Sequence, residues 1–390
     1  MRLAIDYNAA IRQSAGIGRY TRELVRAWLE LHTDDQVVLF YAARDLAPDH
    51  PGLQALRALA AGDPRVRLAP IGLPERWLTI VWQRLRVPLP VEHWTGPVDL
   101  VHAPDFVLPP VRRARTLLTV HDLTFRVHPE TAHANLRRYL NRAVPRALRR
   151  ADHILADSES TRRDLQRLMG VDPARVTVLY PGISPRFRRV DDARRLEELR
   201  ERLGLPPRFL LFVGTLEPRK NLQRLMTAFV QARSADPDLH DVALLLGGRA
   251  GWLAEPILAQ ARATPGVRLL GPLDDDDLPA LYTLASATVY PSLYEGFGFP
   301  ALESLACGTP VLAANTSSLP EVVGEAGLLV DPHDPAALAT GIVQVLRDPA
   351  LRERARQLGP RQAAHFSWAA AARRLDAVYR RLVAGTPRTG

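Results

Sequence analysis

The sequence has 390 residues, of which 47% are apolar and 24% charged, a composition typical of globular proteins rather than disordered or membrane-embedded chains. This length predicts two domains of about 180–200 residues each. No run of about 18 apolar residues occurs, so we expect no transmembrane helix. The net charge of +9 comes mostly from residues 1–186, which carry 27 arginines against 19 acidic residues. This basic first half suits an anionic partner, such as a membrane surface, a phosphate-bearing acceptor or nucleic acid. An arginine-rich solvated surface explains most of these residues equally well.

Several partner classes and compartments are disfavoured by what the sequence lacks. Neither zinc-ligand spacing nor an aromatic–basic RNA-binding motif occurs, so we expect no nucleic-acid partner. Cys307 is the single cysteine and cannot form an internal disulfide, which fits a reducing compartment. Asp6 lies where a secretion signal would be apolar. We therefore predict a cytoplasmic protein.

Short apolar, β-rich runs alternate with longer helical patterns along the whole sequence. This alternation predicts the α/β class, with two doubly wound, Rossmann-like domains whose parallel sheets are covered by helices and face each other across a cleft. A charged helical stretch near 183–207 predicts the seam between residues 1–185 and 186–366. The predicted strands lie within residues 2–7, 37–42, 66–71, 100–104, 116–122, 153–158, 176–182, 209–215, 242–248, 267–272, 287–292, 310–315 and 327–332.

The first half of the sequence contains two candidate binding features, a pair of glycines and a His–Asp pair. Gly16 and Gly18 are predicted to lie in the loop before the first helix, where glycines let the backbone close on an anion. A simple turn is the alternative. His121 and Asp122 end a predicted strand, and a histidine there is more often structural than catalytic. Asp122 either meets an acceptor or caps a turn.

Residues 77–90 mix tryptophan, branched aliphatic residues and arginine. Two interpretations are open: a segment that rests on a membrane interface or beside a lipid-linked acceptor, or a buried helix and its loop in the first domain. The polar face is thin for a helix lying on a surface, so we favour burial.

Lys220 is the only lysine, and the other basic residues are all arginine. It follows a predicted strand in the segment GTLEPRKN. An ammonium is a compact charge with rotatable donors, which the planar guanidinium does not supply. Chance placement in an arginine-biased sequence is the alternative.

The strongest stretch begins where a predicted strand ends at Tyr290. Glu295 precedes the glycine-spaced loop of Gly296, Phe297, Gly298 and Phe299, and a proline suits the first turn of the helix that follows. The N-terminus of that helix forms an anion site. Glu295 and Glu303 flank it, and carboxylates accept hydrogen bonds from vicinal hydroxyls. An anion site for phosphates, flanked by two carboxylates that accept hydrogen bonds from the hydroxyls of a sugar and of a ribose, matches a nucleotide diphosphate sugar.

Four consecutive acids at residues 274–277 allow a metal site or a helix start. They precede an apolar helical pattern, and acids in a first turn complement the helix dipole, so we predict the helix start. No His/Cys cluster has metal-ligand spacing. We expect no metal and no other cofactor.

In their order along the chain, these motifs resemble the retaining glycosyltransferases of family four, which have the two-domain GT-B fold. The resemblance covers essentially the whole chain. GTLEPRKN with HDLTF resembles a bacterial subgroup often linked to polysaccharide and O-antigen mannosyl transfer. The segments that carry it are AGIGRYTRELVRAW, TVHDLTFRVHPE, ILADSESTRRDL, FVGTLEPRKNLQRLMTAF and YPSLYEGFGFPALESLACGTPVLAAN.

The resemblance implies roles for the residues of the second half. Glu295 would hold hydroxyls of the donor sugar, with the N–H groups of residues 296–299 near sugar and phosphate. Glu303 would accept hydrogen bonds from the ribose hydroxyls. Lys220 and Arg219 would neutralise the diphosphate, whose charge grows as it departs.

Further positions follow from the same resemblance. Gly214 and Thr215 would begin the donor-phosphate segment. Many relatives have an arginine directly after the equivalent glycine, so Arg219 is predicted to supply that charge here. The segments near Arg249 and Leu273 would meet the donor base, largely through backbone groups.

In the first half, the resemblance places Gly16 and Gly18 against the diphosphate and His121 near the donor sugar. Asp122 is the predicted acceptor residue. The last helix, residues 367–385, would pack back onto the first domain.

The predicted activity is retaining transfer of a hexosyl unit, with mannosyl from GDP-mannose preferred, to a hydroxyl of a glycan, lipid-linked or small-molecule acceptor. The basic first half would allow peripheral contact with the inner face of a membrane. A UDP-sugar-dependent transferase of the same family, a GT-B-fold nucleotide-sugar epimerase and a non-catalytic binding module are the alternatives. Front-face attack, in which the leaving phosphate takes the acceptor's proton, is the mechanism that the resemblance implies.

Overall fold

A computed structural model describes residues 1–14, 16–31 and 34–385. These residues form two compact units. The first unit combines Met1–Leu123 and Arg138–Gly182 with the C-terminal helix. The second combines Thr124–Arg137 with Ile183–Ser367. A short segment from the first half of the sequence therefore belongs to the second unit.

The first unit contains a parallel sheet of seven strands. Apolar runs form these strands because both faces of the sheet are covered. The strands are β1 (Arg2–Asp6), β2 (Gln36–Ala42), β3 (Val66–Ile71), β4 (Leu100–Ala103), β5 (Arg115–Val120), β6 (His153–Ala156) and β7 (Val176–Val178). Their order is β3-β2-β1-β4-β5-β6-β7. In the register of the sheet, Leu3 pairs with Val37 on one side and with Leu100 on the other. The strand order reverses between β1 and β4.

Helices connect these strands and cover the sheet. In this part of the sequence the helices are α1 (Asn8–Arg12), α2 (Ile17–Leu29), α3 (Pro51–Gly62), α4 (Glu75–Thr79), α5 (Glu92–Thr95), α6 (Thr124–Val127), α7 (Ala134–Arg150) and α8 (Glu159–Met169). Of these, α6 and the first residues of α7 lie in the segment that belongs to the second unit. Local sequence explains several ends. Ser158 caps α8 by accepting a hydrogen bond from the N–H of Thr161, and Gly170 ends it in the left-handed conformation.

The second unit contains a parallel sheet of six strands. They are β8 (Phe209–Val213), β9 (Ala243–Gly247), β10 (Val267–Gly271), β11 (Ala287–Tyr290), β12 (Val311–Ala314) and β13 (Leu328–Val330), in the order β10-β9-β8-β11-β12-β13. The prediction of two parallel α/β sheets is confirmed, and each predicted strand segment contains a strand. The order reverses between β8 and β11, and doubly wound sheets bind ligands beyond the carboxyl ends of strands at such a reversal.

Eight helices cover the second sheet within the described residues. They are α9 (Ala193–Leu203), α10 (Leu222–Ala235), α11 (Glu255–Ala263), α12 (Leu278–Leu284), α13 (Phe299–Ala306), α14 (Leu319–Val323), α15 (Pro335–Arg347) and α16 (Pro349–Ala364). The core includes Phe212 of β8, Phe229 of α10 and Leu305 of α13, all fully buried.

The last helix, α17 (Trp368–Ala384), packs on α2 in the first unit. The indole N–H of Trp28 donates to Asp376 Oδ1 at 3.3 Å, and its ring lies edge-on to Tyr379. The Tyr379 hydroxyl lies 2.7 Å from His102 Nδ1 in β4. Polar contacts in a buried setting fix the position of α17 on this unit.

Residues 77–90 divide between the core and the surface. After α4 the backbone forms a π-helical turn, Ile80–Arg84. Leu78 and Trp82 are buried in the core of the first unit. The prediction that the stretch is buried is wrong for three large apolar side chains, which point outward because Leu78 and Trp82 occupy the inner face. They are Trp77, Leu85 and Val87.

Candidate active site

The loop after β8 places the two predicted cations. Pro218–Lys220 forms a 3-10 turn, and Asn221 then adopts a left-handed backbone with φ of 58° before α10 begins. The Asn221 amide donates to the carbonyl oxygen of Pro291 at 3.1 Å. The N–H of Leu293 donates to the carbonyl oxygen of Arg219 at 2.9 Å. The loop after β8 is thereby fastened to the loop after β11, at the reversal of strand order.

Glu295 binds both cations. Lys220 Nζ lies 2.6 Å from Glu295 Oε1, and Arg219 Nη1 lies 2.7 Å from Glu295 Oε2. The side chains are 11%, 15% and 12% exposed for Lys220, Arg219 and Glu295. The structure therefore brings together three of the four residues predicted to be catalytic, in one nearly buried ion cluster.

Electrostatics keep this carboxylate ionised. Burial alone raises the pKa of Glu295, but the charges of Arg219 and Lys220 outweigh it and lower that pKa to about 2. Burial, together with the charge of Arg219, lowers the pKa of Lys220. A carboxylate with so low a pKa accepts hydrogen bonds and does not donate a proton near neutral pH.

Glu217 completes the cluster and was not singled out from the sequence. It is 1% exposed and accepts hydrogen bonds from Arg219 Nε at 3.0 Å and Nη2 at 2.6 Å. Because Glu217 holds one edge of the guanidinium, Nη1 points to Glu295. The sequence offered one indication of this role, namely that Glu217 directly precedes the segment with the two cations, Pro218–Lys220.

The glycine-spaced loop lies where the sequence predicts it. Gly298 has φ of 106° and precedes the first residue of α13, with Pro300 in the first turn. Positive φ favours glycine there. The N–H of Glu295 donates to Ser317 Oγ at 2.9 Å. The Ser318 hydroxyl donates to the carbonyl oxygens of Glu295 and Phe297 at 3.0 and 2.7 Å. Two consecutive serines therefore set the conformation of the loop.

The side chains of Phe297 and Phe299 pack against each other, with ring centroids 5.1 Å apart. Phe297 is buried and also lies edge-on to Phe366. These aromatic rings serve packing, so a donor role for Gly296, Phe297 and Phe299 rests on backbone N–H groups alone.

Glu303 lies within α13 and is 2% exposed. The Tyr282 hydroxyl, from α12, donates to Glu303 Oε2 at 3.0 Å. Burial and the neighbouring Tyr290 and Glu303 raise the pKa of Tyr282 well above its usual value, so it remains a donor. Tyr282 was missed by sequence reasoning, because its position in an apolar helical pattern predicts only a core residue.

A largely apolar cavity of about 250 Å³ lies beyond the carboxyl ends of β9 and β10. The residues that line it are Leu216, Gly248, Arg249, Ala250, Leu258, Leu269, Gly271 and Pro272. A side chain at Gly248 would overlap the carbonyl oxygen of Gly214, so the two backbones approach closely. Arg249, predicted to lie near the donor base, borders this cavity. Leu273 packs over Gly247, and Thr215 is exposed beside Gly251.

In the first unit, the predicted position of Gly18 is wrong. It lies in the first turn of α2, not in the preceding loop, and a side chain there would overlap the carbonyl oxygens of Ala9 and Gln13. Packing of α2 on α1 therefore explains this glycine. Gly16 directly precedes α2 with φ of 58°, which favours glycine.

Both ring nitrogens of His121 are engaged. Nδ1 lies 2.7 Å from Asp157 Oδ2, and Nε2 lies 2.7 Å from the carbonyl oxygen of Pro104. The carbonyl only accepts, so Nε2 donates to it, and Nδ1 donates to the ionised carboxylate of Asp157, which makes the ring an imidazolium. Burial lowers the pKa of His121, but the Asp157 charge prevails and raises it to about 9. Asp122 is half-buried next to it, and its charge acts on Asp157.

The acids at residues 274–277 precede α12, as predicted. Asp277 Oδ1 pairs with Arg202 at 2.7 Å, and Asp275 Oδ2 pairs with Arg186 at 3.2 Å. Across the described residues, no group of three or more His, Cys, Asp or Glu side chains is arranged to hold a metal ion. No helix in that part of the chain is both long and apolar enough to span a bilayer.

Two doubly wound parallel sheets are the architecture of the GT-B fold, and the glutamate–cation cluster lies at the strand reversal of the second sheet. The family profile described as "Glycosyl transferases group 1" matches residues 196–362, and that described as "Glycosyltransferase Family 4" matches residues 14–187. The O-antigen chain mannosyltransferase B of Escherichia coli is 34% identical over 365 residues, covering 90% of this chain and 92% of that protein. The chain belongs to glycosyltransferase family 4 and is a retaining hexosyltransferase with a nucleotide-sugar donor.

Two further similarities extend over nearly the whole chain. The D-inositol 3-phosphate glycosyltransferase of Thermobispora bispora is 32% identical over 397 residues, covering 94% of this chain and 90% of that protein. The structure of Anabaena HepE in complex with UDP and glucose matches 98% of this chain and 100% of that one, with a TM-score of 0.72 at 18% identity. Family membership decides for a transferase over an epimerase or a non-catalytic module.

Proposed function

We propose that the protein transfers a mannosyl unit from GDP-mannose to a hydroxyl of a glycan acceptor in the cytoplasm. The observation that carries this proposal is the similarity, over 90% of the chain, to a protein named as an O-antigen chain mannosyltransferase. The single cysteine, which is buried, supports the location in a reducing compartment.

The ion cluster supports an exchange of partners when the donor binds. A diphosphate brings negative charge to Lys220 and Arg219 and so competes with Glu295 for both cations. Glu295, which stays ionised, then accepts hydrogen bonds from hydroxyls of the donor sugar. Glu303, oriented by Tyr282, takes the ribose hydroxyls.

The proposed chemistry follows from where charge develops. The bond between sugar C1 and the phosphate oxygen breaks as the acceptor oxygen bonds to C1 on the same face. The acceptor's proton passes to the departing phosphate oxygen. Lys220 and Arg219 stabilise the charge on the leaving diphosphate, which is greater in the transition state than in the bound donor. No enzymic nucleophile is needed in this sequence of steps.

For the donor base, the proposed site is the cavity bordered by Arg249. Its lining is mostly aliphatic and backbone, which suits stacking against a base and recognition by backbone groups. Uridine is the second candidate, favoured by the structural likeness to a protein whose structure contains UDP and glucose.

For the acceptor, three carboxylates of the first unit, those of Asp6, Asp105 and Glu75, support a neutral glycan over a phosphorylated molecule. Asp6 ends β1 and Asp105 follows β4, at the strand reversal where ligands bind. Burial, with the charges of Asp105 and Glu75, raises the pKa of Asp6 to about 6. Carboxylates accept hydrogen bonds from sugar hydroxyls and repel phosphate.

A thermal-shift panel of GDP, UDP, ADP and dTDP with their common sugars, in EDTA, tests the donor. A ligand at a hundred times its Kd adds about 2.7 kcal/mol of stability. Acceptor-dependent release of nucleotide, with a neutral mannoside and a phosphorylated inositol side by side, then tests the transfer. Stabilisation by UDP but not GDP contradicts the proposed donor, and turnover with only the phosphorylated acceptor contradicts the proposed acceptor. Loss of turnover in EDTA contradicts metal independence.

A further inference from the structure

Three large apolar side chains lie exposed within a short stretch of the first unit, flanked by arginines. Trp77 is 55% exposed, Leu85 67% and Val87 41%. The arginines that flank them, all exposed, are Arg76, Arg84 and Arg86. We call these six residues the apolar–basic patch.

The fold holds the patch outward. Leu78 and Trp82 are buried in the core of the first unit. The Trp82 indole N–H donates to the carbonyl oxygen of Leu89 at 3.1 Å, and its ring lies edge-on to Trp94. Arg86 has φ of 58°, in the left-handed region, so the chain turns sharply between Leu85 and Val87. The exposed side chains therefore sit on an anchored segment.

The charge around the patch is positive. Within the described residues, none of its three arginines forms an ion pair, whereas the neighbouring acid Glu75 pairs with Arg12 at 3.2 Å. Tyr139 of α7 lies close enough to Arg84 for that charge to act on its hydroxyl. Helix α7 contains no acidic residue. Its exposed arginines in the first unit include Arg138, Arg142 and Arg149.

We propose that the apolar–basic patch docks the first unit on the surface of an anionic lipid bilayer. Such a surface offers lipid phosphates to the guanidinium groups and an apolar layer beneath for Trp77, Leu85 and Val87. Tryptophan and arginine, each with an apolar body and a polar end, suit that boundary. A second copy of the chain is a poor occupant, because it presents the same positive charge.

The position of the patch also bears on the acceptor. Helix α4 carries both Trp77 and Glu75, one of the three carboxylates assigned to acceptor hydroxyls. A docked enzyme would thus hold its acceptor carboxylates beside the lipid surface, which suits a glycan carried on a lipid. This step rests on the proposed function, whereas docking itself does not.

Co-sedimentation of the full chain with vesicles tests the proposal. Vesicles of phosphatidylcholine with phosphatidylglycerol should bind the protein, and phosphatidylcholine alone should bind it much less, with binding weakened by salt. Leu85→Ser and Trp77→Ser should each weaken binding roughly tenfold, from the apolar area withheld from the bilayer. Arg84→Gln and Arg86→Gln should each weaken it about fivefold. Leu168→Ser, at an exposed position of α8 in the same unit, should leave it unchanged.

Equal binding to both vesicles, or loss of binding in Leu168→Ser to the same degree as in Leu85→Ser, overturns the proposal. Concentration-dependent self-association that Leu85→Ser abolishes also overturns it, in favour of a second copy. Transfer to a water-soluble acceptor should be unaffected in Leu85→Ser. If the wild type binds vesicles but transfers no sugar, the proposed function fails and the docking surface stands.

Discussion

Replacing Lys220 with methionine removes one of the two cations bound to Glu295 while nearly keeping the side-chain length. Lys220 is 9% exposed, and its ammonium lies 2.6 Å from Glu295 Oε1. Arg219 remains at 2.7 Å from Oε2. The variant therefore tests whether the only lysine in the chain acts on the donor or merely balances a buried carboxylate.

The expected loss is mainly in catalysis. Removing one preorganised group that stabilises transition-state charge costs about 10²–10³-fold in kcat, or about 2.7–4 kcal/mol. Stability should fall by less than the roughly 3–5 kcal/mol typical of a broken buried pair, because Arg219 still neutralises Glu295. Burial already disfavours the ammonium, as the lowered pKa of Lys220 indicates, which reduces the loss further.

The assay is acceptor-dependent release of nucleoside diphosphate, with kcat and donor KM measured separately. Urea unfolding of each variant checks the fold. Arg208→Met is the matched control. Arg208 directly precedes β8, at the opposite end of that strand from the site, and also forms an ion pair, with Asp241. Lys220→Arg should still lose at least about tenfold, since a planar guanidinium does not replace a compact charge.

A kcat for Lys220→Met within a few fold of the wild type would refute this reasoning. So would a loss matched by Arg208→Met or explained wholly by unfolding. Full activity of Lys220→Arg would show that any buried cation suffices and that the lysine itself has no special role.

Two further predictions concern groups held by buried hydrogen bonds. Tyr282→Phe should raise the donor KM roughly tenfold with little change in kcat. The Tyr282 hydroxyl donates to Glu303, and a hydrogen bond to a charged group contributes about 1.5–3 kcal/mol. An equal rise in KM for a donor with a 2′,3′-dideoxyribose would contradict ribose binding through Glu303. The pKa of His121 is raised from 6.5 to about 9, so the stabilisation that its imidazolium contributes is complete below about pH 6.5 and is lost as pH rises through about 9. Urea unfolding should show that alkaline loss in the wild type but not in His121→Gln, and parallel curves for the two would contradict it.

The strands were predictable because their signal is local. An apolar run such as residues 209–215 is buried on both faces wherever it lies in a parallel sheet. The grouping of Thr124–Arg137 with the second unit has no such signal, since it depends on contacts such as that of the Trp252 indole N–H with the carbonyl oxygen of Thr131 at 2.5 Å. Gly18 was misplaced because the short helix α1 leaves little periodic pattern in the sequence.

Residue type, spacing and family resemblance were enough to nominate the candidate residues of the site, but they did not predict which of these residues pair with each other. The positions of Lys220 and Glu295, 75 residues apart, do not indicate that they form an ion pair. Glu217 and Tyr282 act through other side chains, Arg219 and Glu303. A sequence shows a charged or aromatic residue, but only the folded chain shows which neighbour it orients.

The placement of α17 has a consequence for how the protein is made. Trp28, near the start of the chain, bonds to Asp376 of α17, and Arg380 pairs with Asp35 at 2.9 Å. During synthesis the whole second unit leaves the ribosome before α17 does. Although most of the first unit is translated first, this unit is completed last. Until α17 is made, the face of α2 on which it packs stays exposed to solvent. A ribosome-bound chain from which residues 1–367 have emerged should hold a finished second unit and an unfinished first unit, a state that chaperones would recognise.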